Sequence, residues 1–321
     1  MFAVPESPAT APEPELFIVM NRSSGAHAKD DVRDAIESEL KSAGRRYRFV
    51  PVEPGQIVRS CQEAAREAAG CGGAIVAVGG DGTLNAAARA ALLHNCAIGV
   101  IAQGTFNLFA REHGLPLEAA AAARALLDAA PEDVQVGLVN QHAFLVNASV
   151  GLYPKLLADR EAVKQKLGRR RWIAMGAALM SVFEWRLRLD LEAEVDGVQR
   201  RFRTPSIFVC NNRLQVERVG LDAPVQERTG RGWLAAVVVR SIGVVGKIKL
   251  MFRTAVGTLG DAREVDDFAM KSLTVTARHA RKLRVATDGE VQWMALPLRF
   301  TVSPKPLRVL LPPVDRREPR Q

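Results

Sequence analysis

The first hundred residues alternate short apolar runs, typical of buried strands, with longer segments of helical periodicity. The helical pattern is clearest in residues 29–43, where Val32, Ile36 and Leu40 recur between charged side chains. Strands are predicted at residues 16–21, 47–52, 74–78 and 97–102, and helices at 29–43, 57–69 and 84–93. Strands that alternate with helices form a parallel sheet covered by helices. We therefore expect an α/β domain that binds ligands at the carboxyl ends of its strands.

Beyond residue 133 the pattern changes to strands that mostly follow one another without intervening helices. Such runs occur at residues 134–139, 143–149, 187–195, 206–210, 234–239, 273–277, 283–286 and 298–302. Asp196-Gly197 stands between two alternating segments and indicates a hairpin. One helical stretch, at about residues 160–183, interrupts the series. This part predicts a β-rich, mostly antiparallel domain, either a sandwich or an open barrel.

These patterns divide the chain into four parts. Residues 1–15 are rich in proline, carry acidic residues and lack the basic start of a signal peptide, so a disordered segment is expected. Residues 16–133 form the α/β domain, residues 134–312 the β-rich domain and residues 313–321 a tail. No apolar stretch has the roughly 18 residues that a membrane-spanning helix needs.

Composition and charge narrow the class of partner. The formal net charge of +9 and the isoelectric point of about 9.8 favour an acidic partner: a nucleotide, a nucleic acid or an anionic membrane. Nucleic acid is disfavoured because only 6% of the residues are aromatic and no nucleic-acid-binding motif is present. The four cysteines and five histidines show no metal-binding spacing, so the cysteines are expected to be reduced in a cytosolic protein.

A glycine-rich loop at Gly79–Thr83 follows a predicted strand and precedes a predicted helix. Glycines allow close approach of the backbone, and a helix N-terminus attracts phosphate. The loop is neither a Walker A motif nor the GxGxxG of a dinucleotide fold. Asp81 in its centre would repel phosphate unless a cation or a ribose hydroxyl intervenes, which indicates a magnesium nucleotide. The alternative is a plain turn in which Asp81 caps the helix.

The loop resembles the GGDGT signature of diacylglycerol kinases, sphingosine kinases and NAD kinases. Other segments resemble motifs of the bacterial diacylglycerol kinase-like lipid kinases, in the same order: NRSSG at 21–25, GTFNLFAREHGLP at 104–116, NASVGLYPKLL at 147–157 and TDGE at 287–290. This resemblance implies an α/β nucleotide-binding domain, a β-rich lipid-substrate domain and an active site between them. The NAD kinases are the nearest alternative family, and they are disfavoured because residues 104–110 match the lipid-kinase pattern.

The resemblance implies an ATP-dependent lipid kinase that uses Mg²⁺ and transfers the γ-phosphoryl group to a hydroxyl of diacylglycerol or a related lipid. Glu290 would accept the proton of that hydroxyl, Asp288 would orient Glu290, and Asp81 would lie near the magnesium and the phosphates. The residues that would bind the nucleotide are Asn21, Ser24, Gly25, Gly79, Gly80, Gly82, Thr83, Leu84, Asn85, Thr105 and Asn107.

Two departures from the family pattern concern the metal. Leu108 stands where many members have Asp, and residues 221–233 offer Glu227 and Arg228 where many members have an Asp-Asp-Gly. Our hypothesis is that the structural magnesium is lost and that only the nucleotide-bound ion remains. The same departures leave two alternatives open: a nucleotide-binding regulatory protein without full catalysis, or a kinase for a soluble substrate of NAD-kinase type.

A lipid kinase must reach a bilayer, and residues 164–189 are the candidate contact. Basic residues precede an apolar stretch flanked by tryptophan: Lys164, Lys166, Arg169, Arg170, Arg171 and Trp172. The alternative is an ordinary helix on the second domain with a solvated basic face. We expect a cytoplasmic protein able to bind the anionic inner face of the membrane, with no nucleic acid partner and with a homodimer left open.

Overall fold

The first part of the chain forms a sheet flanked by helices. In this computed structural model, which describes residues 14–20, 26–53, 55–151, 189–218, 220–239, 265–277 and 280–319, the chain divides into two compact units. The elements of the first part are β1 (Leu16–Met20), α1 (Ala26–Ser42), β2 (Tyr47–Val50), α2 (Ile57–Cys71), β3 (Ala74–Gly79), α3 (Asp81–His94), β4 (Ala97–Ala102), α4 (Leu108–Glu112), α5 (Ala119–Leu127) and β5 (Ala130–Val134).

Four strands of the first unit confirm the predicted parallel arrangement. Strands β2, β1, β3 and β4 lie side by side in that order, and each neighbouring pair is parallel. Strand β4 is buried along its whole length, and β1 and β3 are buried except at their last residue. Burial on both faces explains why their sequences are continuous apolar runs without polar alternation.

The second part of the chain is a sandwich of two antiparallel sheets. Its elements are β6 (Gly137–Val139), β7 (His142–Phe144), β8 (Asn147–Gly151), β9 (Leu189–Val195), β10 (Val198–Thr204), β11 (Ser206–Cys210), α6 (Arg213–Arg218), α7 (Ala223–Arg228), β12 (Leu234–Val239), β13 (Val265–Met270), β14 (Ser272–Ala277), β15 (Lys282–Thr287), β16 (Glu290–Ala295) and β17 (Leu298–Val302). The sheet orders are β10-β9-β14-β17-β6-β7 and β13-β12-β11-β8-β15-β16.

One hydrophobic core lies between these two sheets. It contains Phe144, Leu191 and Phe300 from one sheet and Ile207 and Val285 from the other, all at most 1% exposed. The second sheet also buries its other face, where Cys210 and Val237 pack with Val216 and Val225 of α6 and α7. The prediction of a β-rich, antiparallel second domain is confirmed, and the sandwich is the form that it takes.

The last strand of the chain, β18 (Leu307–Leu311), returns to the first sheet, where it lies between β4 and β5. Val309 pairs with Ile98 of β4 in parallel. Residues 307–319 therefore belong to the first unit, whereas the sequence placed residues up to 312 in the second domain and residues 313–321 in a tail. The partner strand β4 lies far from β18 in the sequence, in the first half of the chain, so no local pattern indicates this pairing.

Several smaller features also differ from the sequence prediction. The run at 134–139 is divided between β5 and β6, and the run at 143–149 between β7 and β8. Strands β13, β16 and β18 were not predicted, whereas β10, an edge strand whose residues are mostly exposed, is the second strand of the hairpin that Asp196-Gly197 indicated. The proposed N-terminal segment falls largely, and the helix at 160–183 entirely, outside the described residues. Within the described ranges, no helix is both long and apolar enough to cross a bilayer.

The burial of β18 gives a direct test of its place in the first unit. Val309 is fully buried, whereas Val314, a few residues further on, is 76% exposed. The substitution Val309→Thr buries a hydroxyl in place of a methyl group and should lower the free energy of unfolding by about 1–3 kcal/mol. The matched control Val314→Thr should change it by less than about 0.5 kcal/mol. Equal effects in denaturant titrations would contradict the position of β18.

Candidate active site

The glycine loop links the end of β3 to the start of α3. Strand β3 ends at Gly79, Gly80 is the N-cap, and α3 begins at Asp81, three residues earlier than predicted. The amide groups of Thr83 and Leu84 both donate to the Gly80 carbonyl, at 3.0 and 3.1 Å. Asp81 is thus the first helical residue and does not occupy the N-cap position that the plain-turn alternative assigned to it.

A second loop, after β4, lies directly against the first. The backbone amide of Gln103 donates to the Gly79 carbonyl at 2.8 Å. A Cβ atom on Gly104 would lie 2.8 Å from the Cα of Gly80, and one on Gly80 would lie 3.3 Å from the Cα of Gly104. A Cβ atom on Gly104 would therefore clash and one on Gly80 would be crowded, so glycine at both positions lets the two backbones approach closely at the carboxyl edge of the sheet.

Asn107 fixes the shape of this second loop. The Gly104 amide donates to Asn107 Oδ1 at 2.9 Å, and Asn107 Nδ2 donates back to the Gly104 carbonyl at 3.0 Å. Asn107 has a φ of +51° and is buried. Between these residues Thr105 is exposed, so its hydroxyl is accessible beside the glycine loop.

The first turns of α3 hold polar groups beneath the loop. Thr83 is 6% exposed and lies under Gly79, where an added Cβ would be 2.7 Å from the Thr83 hydroxyl. Asn85 is 4% exposed, and its Nδ2 has no hydrogen-bond partner among the described residues. A buried amide without a partner is costly, which is the expected signature of a donor that serves a ligand. Leu84 is buried in the core.

The carboxyl group of Asp81 is held in an unfavourable environment. Burial raises its pKa above the ordinary value, and a hydrogen bond from its own backbone amide opposes this only in part. A cation beside the carboxylate would relieve the cost of keeping it ionised. The residues in this loop therefore fit a magnesium nucleotide. The glycine backbone and the N-terminus of α3 suit the phosphates, and the partly buried carboxylate of Asp81 suits the cation.

In the second unit, Asp288 ties the β15–β16 hairpin to the segment before β8. Its carboxylate accepts hydrogen bonds from three successive backbone amides, those of Leu145 at 2.7 Å, Val146 at 2.8 Å and Asn147 at 2.9 Å. Asp288 and Gly289 both have positive φ values, +49° and +90°, as a two-residue hairpin turn requires. Glu290, the first residue of β16, is exposed immediately after this fixed turn.

A neutral hydrogen-bond network, absent from the sequence prediction, supports the same segment. Gln135 Nε2 donates to Asn211 Oδ1 at 2.8 Å and to the Trp233 carbonyl at 3.0 Å, and Gln135 Oε1 accepts from the Gly232 amide at 2.6 Å. Asn211 Nδ2 donates to the Leu145 carbonyl at 2.9 Å. The residues that position the Asp288 turn are thus far apart in sequence and form no motif that a sequence pattern could show.

The region that replaces the Asp-Asp-Gly is part of this network. Residues 221–233 form α7 and a turn in which the Arg228 guanidinium lies 5.1 Å from the centroid of the Trp233 ring, and Glu227 is exposed. Among the described residues, no group of three or more His, Cys, Asp or Glu side chains is placed to hold a metal ion. The loss of the structural magnesium stays a prediction.

The structure thus brings the predicted residues together in two groups, one in each unit. Gly79, Gly80, Gly82, Thr83 and Asn85 adjoin Thr105 and Asn107 in the first unit, and Asp288 adjoins Glu290 in the second. Asn21, Ser24 and Gly25 lie outside the described residues. The Cys61 and Cys210 thiols are poor nucleophiles, because burial raises their pKa to about 12.

Both parts of the chain match known protein families. Residues 15–139 match the diacylglycerol kinase catalytic domain, and residues 156–311 match the YegS C-terminal NAD kinase beta sandwich-like domain. A probable lipid kinase YegS-like from Pseudomonas aeruginosa is 31% identical over 95% of this chain and 98% of its own length. A diacylglycerol kinase from Bacillus subtilis is 24% identical over 74% of this chain and 77% of its own.

The fold is also found in solved structures. The crystal structure of a putative diacylglycerol kinase from Bacillus anthracis has a TM-score of 0.70 at 21% sequence identity, and the superposition covers 94% of this chain and 98% of that one. At this identity the likeness shows the fold alone. Together with the two domain matches and the full-length relative, it shows that the chain belongs to the family of YegS-like lipid kinases, with a diacylglycerol kinase catalytic domain and a YegS-type C-terminal domain.

Proposed function

We propose that the protein transfers the γ-phosphoryl group of ATP to a free hydroxyl of diacylglycerol or a related lipid. The observation that carries this proposal is the contact between Gly80 and Gly104 beside the N-terminus of α3, with the desolvated carboxylate of Asp81 at the same position. The names of the relatives, a probable lipid kinase and a diacylglycerol kinase, support a lipid acceptor.

The first unit supplies the groups that would hold the nucleotide. Helix geometry leaves the amide of Gly82 without an intrahelical acceptor, so it would donate to a phosphate oxygen. The unpartnered Nδ2 of Asn85 and the hydroxyl of Thr105 extend this set of donors. Asp81 would hold the magnesium ion of the nucleotide, which neutralises the phosphate charge when it is bound.

The second unit supplies the proton acceptor. As the lipid oxygen attacks the γ-phosphorus and the bond to the ADP oxygen breaks, the hydroxyl proton passes to the Glu290 carboxylate. Asp288 positions Glu290 because its own carboxylate is fixed by three backbone amides at the turn. Asp288 is therefore a positioning residue, whereas Glu290 touches the acceptor.

Other parts of the sequence prediction remain proposals. The basic segment Lys164 to Trp172 lies outside the described residues. The cytoplasmic location, binding to the inner membrane face and the homodimer stay predictions. A regulatory protein without catalysis and a kinase for a soluble substrate are the rivals, and the distribution of transferred phosphate between lipid and aqueous fractions discriminates among the three.

Phosphate transfer from labelled ATP into a total-lipid extract tests the function and the base together. The wild-type protein should label a lipid, and Glu290→Gln should reduce the rate by roughly 10²–10⁴-fold, because it removes a general base. Its thermal stability should be unchanged, since the side chain is exposed. No labelled lipid despite ATP binding would favour the regulatory alternative, and label confined to the aqueous fraction would favour a soluble substrate.

A matched pair of hairpins tests the positioning role of Asp288. Asp196, in the Asp-Gly turn of the β9–β10 hairpin, has a φ of +48°, and its carboxylate accepts from the Lys271 and Ser272 amides, both at 2.8 Å. Asp288→Asn should lower stability because the oxygen that accepts from the Leu145 amide becomes a donor, and Asp196→Asn should lower it less, because its single accepting oxygen is kept and only the charge is lost. Only Asp288→Asn should also lower kcat in folded protein. Equal kcat values for the two variants would leave Asp288 without a positioning role.

The raised pKa of Asp81 predicts a substitution that stabilises the protein and impairs activity. With its folded-state pKa above the unfolded value, the ionised carboxyl destabilises the folded protein at neutral pH, and the penalty disappears below the unfolded pKa of 3.8. Nucleotide-free Asp81→Asn should thus unfold at higher denaturant concentration than wild type at pH 7 and at the same concentration near pH 3.

Glu118 serves as a control because its pKa is shifted in the opposite direction. Its carboxylate caps α5, and hydrogen bonds from the Ala120 and Ala121 amides lower its pKa. Its ionised form stabilises the folded state above the unfolded pKa, and this contribution is lost as the pH falls through the folded pKa. Glu118→Gln should therefore lose stability at pH 7. An Asp81→Asn variant that behaves like Glu118→Gln would refute the desolvated carboxylate.

Asn85 should be required for nucleotide binding and dispensable for folding. Replacing its unpartnered amide with the isosteric side chain of Leu should leave the melting temperature unchanged or raise it, and should weaken ATP binding about tenfold or more. The control Asn107→Leu should instead lower the melting temperature, because it breaks two hydrogen bonds within the loop. Calorimetric titration with ATP and thermal melts distinguish the two, and unaltered ATP affinity in Asn85→Leu would contradict the assigned role.

A further inference from the structure

Two cations and a tryptophan lie together on the outer face of the β15–β16 hairpin. Lys282 and Arg284 alternate along β15, and Arg284 is paired with Trp293 of β16. The residues that point the other way, Leu283, Val285 and Met294, belong to the core of the sandwich. Lys282, Arg284 and Trp293, here called the hairpin patch, therefore share the opposite face of the sheet.

The geometry of the hairpin patch keeps an aromatic ring in solvent between two positive charges. The Lys282 ammonium lies 5.3 Å and the Arg284 guanidinium carbon 5.1 Å from the centroid of the Trp293 ring. Trp293 is nevertheless 57% exposed, and β16 is the edge strand of its sheet. Pairing across the strands does not require the exposure of so large an apolar side chain, because β-branched residues such as threonine are also favoured in strands.

Trp233 provides an internal comparison. It is also flanked by two cations, with Arg228 at 5.1 Å and Lys271 at 5.0 Å from its ring centroid. It is, however, partly buried, and its backbone is held by Gln135. The same pair of cation–π contacts thus occurs once within the hydrogen-bond network and once at an open edge.

We infer that the hairpin patch docks the protein on an anionic phospholipid bilayer. Tryptophan favours the membrane interface because its ring is both apolar and polar, and flanking Lys and Arg are attracted to anionic headgroups. The formal net charge of +9 complements such a surface. The hairpin patch lies outside residues 164–189, to which the sequence assigned this role.

The position of the hairpin patch connects docking with catalysis, and this step rests on the proposed function. Trp293 and Glu290 lie on the same strand, three residues apart, which corresponds to about 10 Å at the rise of a β-strand. Because this spacing is odd, their side chains project from opposite faces of the sheet. A Trp293 ring seated among headgroups would therefore bring the start of β16 to the membrane surface without burying the Glu290 carboxylate in the bilayer.

Vesicle binding without ATP tests the inference separately from turnover. Full-length protein is sedimented with vesicles of phosphatidylcholine and phosphatidylglycerol, and with phosphatidylcholine alone. The double variant Lys282→Gln/Arg284→Gln should bind the anionic vesicles about tenfold more weakly or worse. Trp293→Thr should also weaken binding. The control Arg200→Gln/Arg201→Gln, on the edge strand β10 of the other sheet, removes the same charge and should bind like wild type.

Kinase assays on two forms of the acceptor complete the test. Trp293→Thr should raise the apparent KM for vesicle-embedded lipid and leave kcat for a short-chain, dispersed lipid unchanged, whereas Glu290→Gln should lower kcat for both. Wild-type binding in all patch variants, or equal losses in the β10 control, would overturn the inference. Patch-dependent vesicle binding without any kinase activity would uphold it and would contradict the proposed function alone.

Discussion

The first unit depends on the parallel pairing of β3 with β4, which continues in register from Ala74 opposite Ala97 to Gly79 opposite Ala102. Because the strands run in the same direction, the loops that follow them leave the sheet at the same edge. Each loop carries a glycine at the point of contact: a Cβ atom on Gly104 would clash with Gly80, and one on Gly80 would be crowded by Gly104. The close approach of the two loops next to α3 is thus a consequence of strand register.

In the second unit, side-chain hydrogen bonds position the residues of the candidate site. An Asp-Gly hairpin turn on its own is a common surface feature, anchored only by the two strands that it joins. At Asp288 the carboxylate engages three successive amides of another segment, and Asn211 and Gln135 hold that segment in turn. Hydrogen bonds to a charged acceptor are among the stronger ones, so the start of β16 is fixed more firmly than its exposure suggests.

The sequence predicted what depends on nearby residues. Continuous apolar runs identified the parallel strands, and Gly79–Thr83 identified the loop, because a strand-to-helix turn needs its glycines in one short segment. Pairings between distant segments were inaccessible: β18 joins β4 from the other end of the chain, and Gln135 reaches Asn211 and Trp233. The exposed edge strand β10 was indicated only by the Asp-Gly turn before it, because its mostly solvated residues form no apolar run of their own.

Three residues stand out because folding alone does not explain them. Asp81 has a carboxyl group whose pKa is raised by burial, Asn85 has a buried donor that lacks a partner among the described residues, and Trp293 exposes an apolar ring. A protein selected only for stability would replace each of them with a simple substitution. A partner from outside the chain would satisfy each of them, and the chemistry differs in each case: a cation for the carboxylate, an acceptor oxygen for the amide and an interface for the indole. The proposed nucleotide with its magnesium would account for the first two. The proposed membrane contact would account for the third, and it would separate a kinase that acts at a membrane from one that acts on a dissolved substrate.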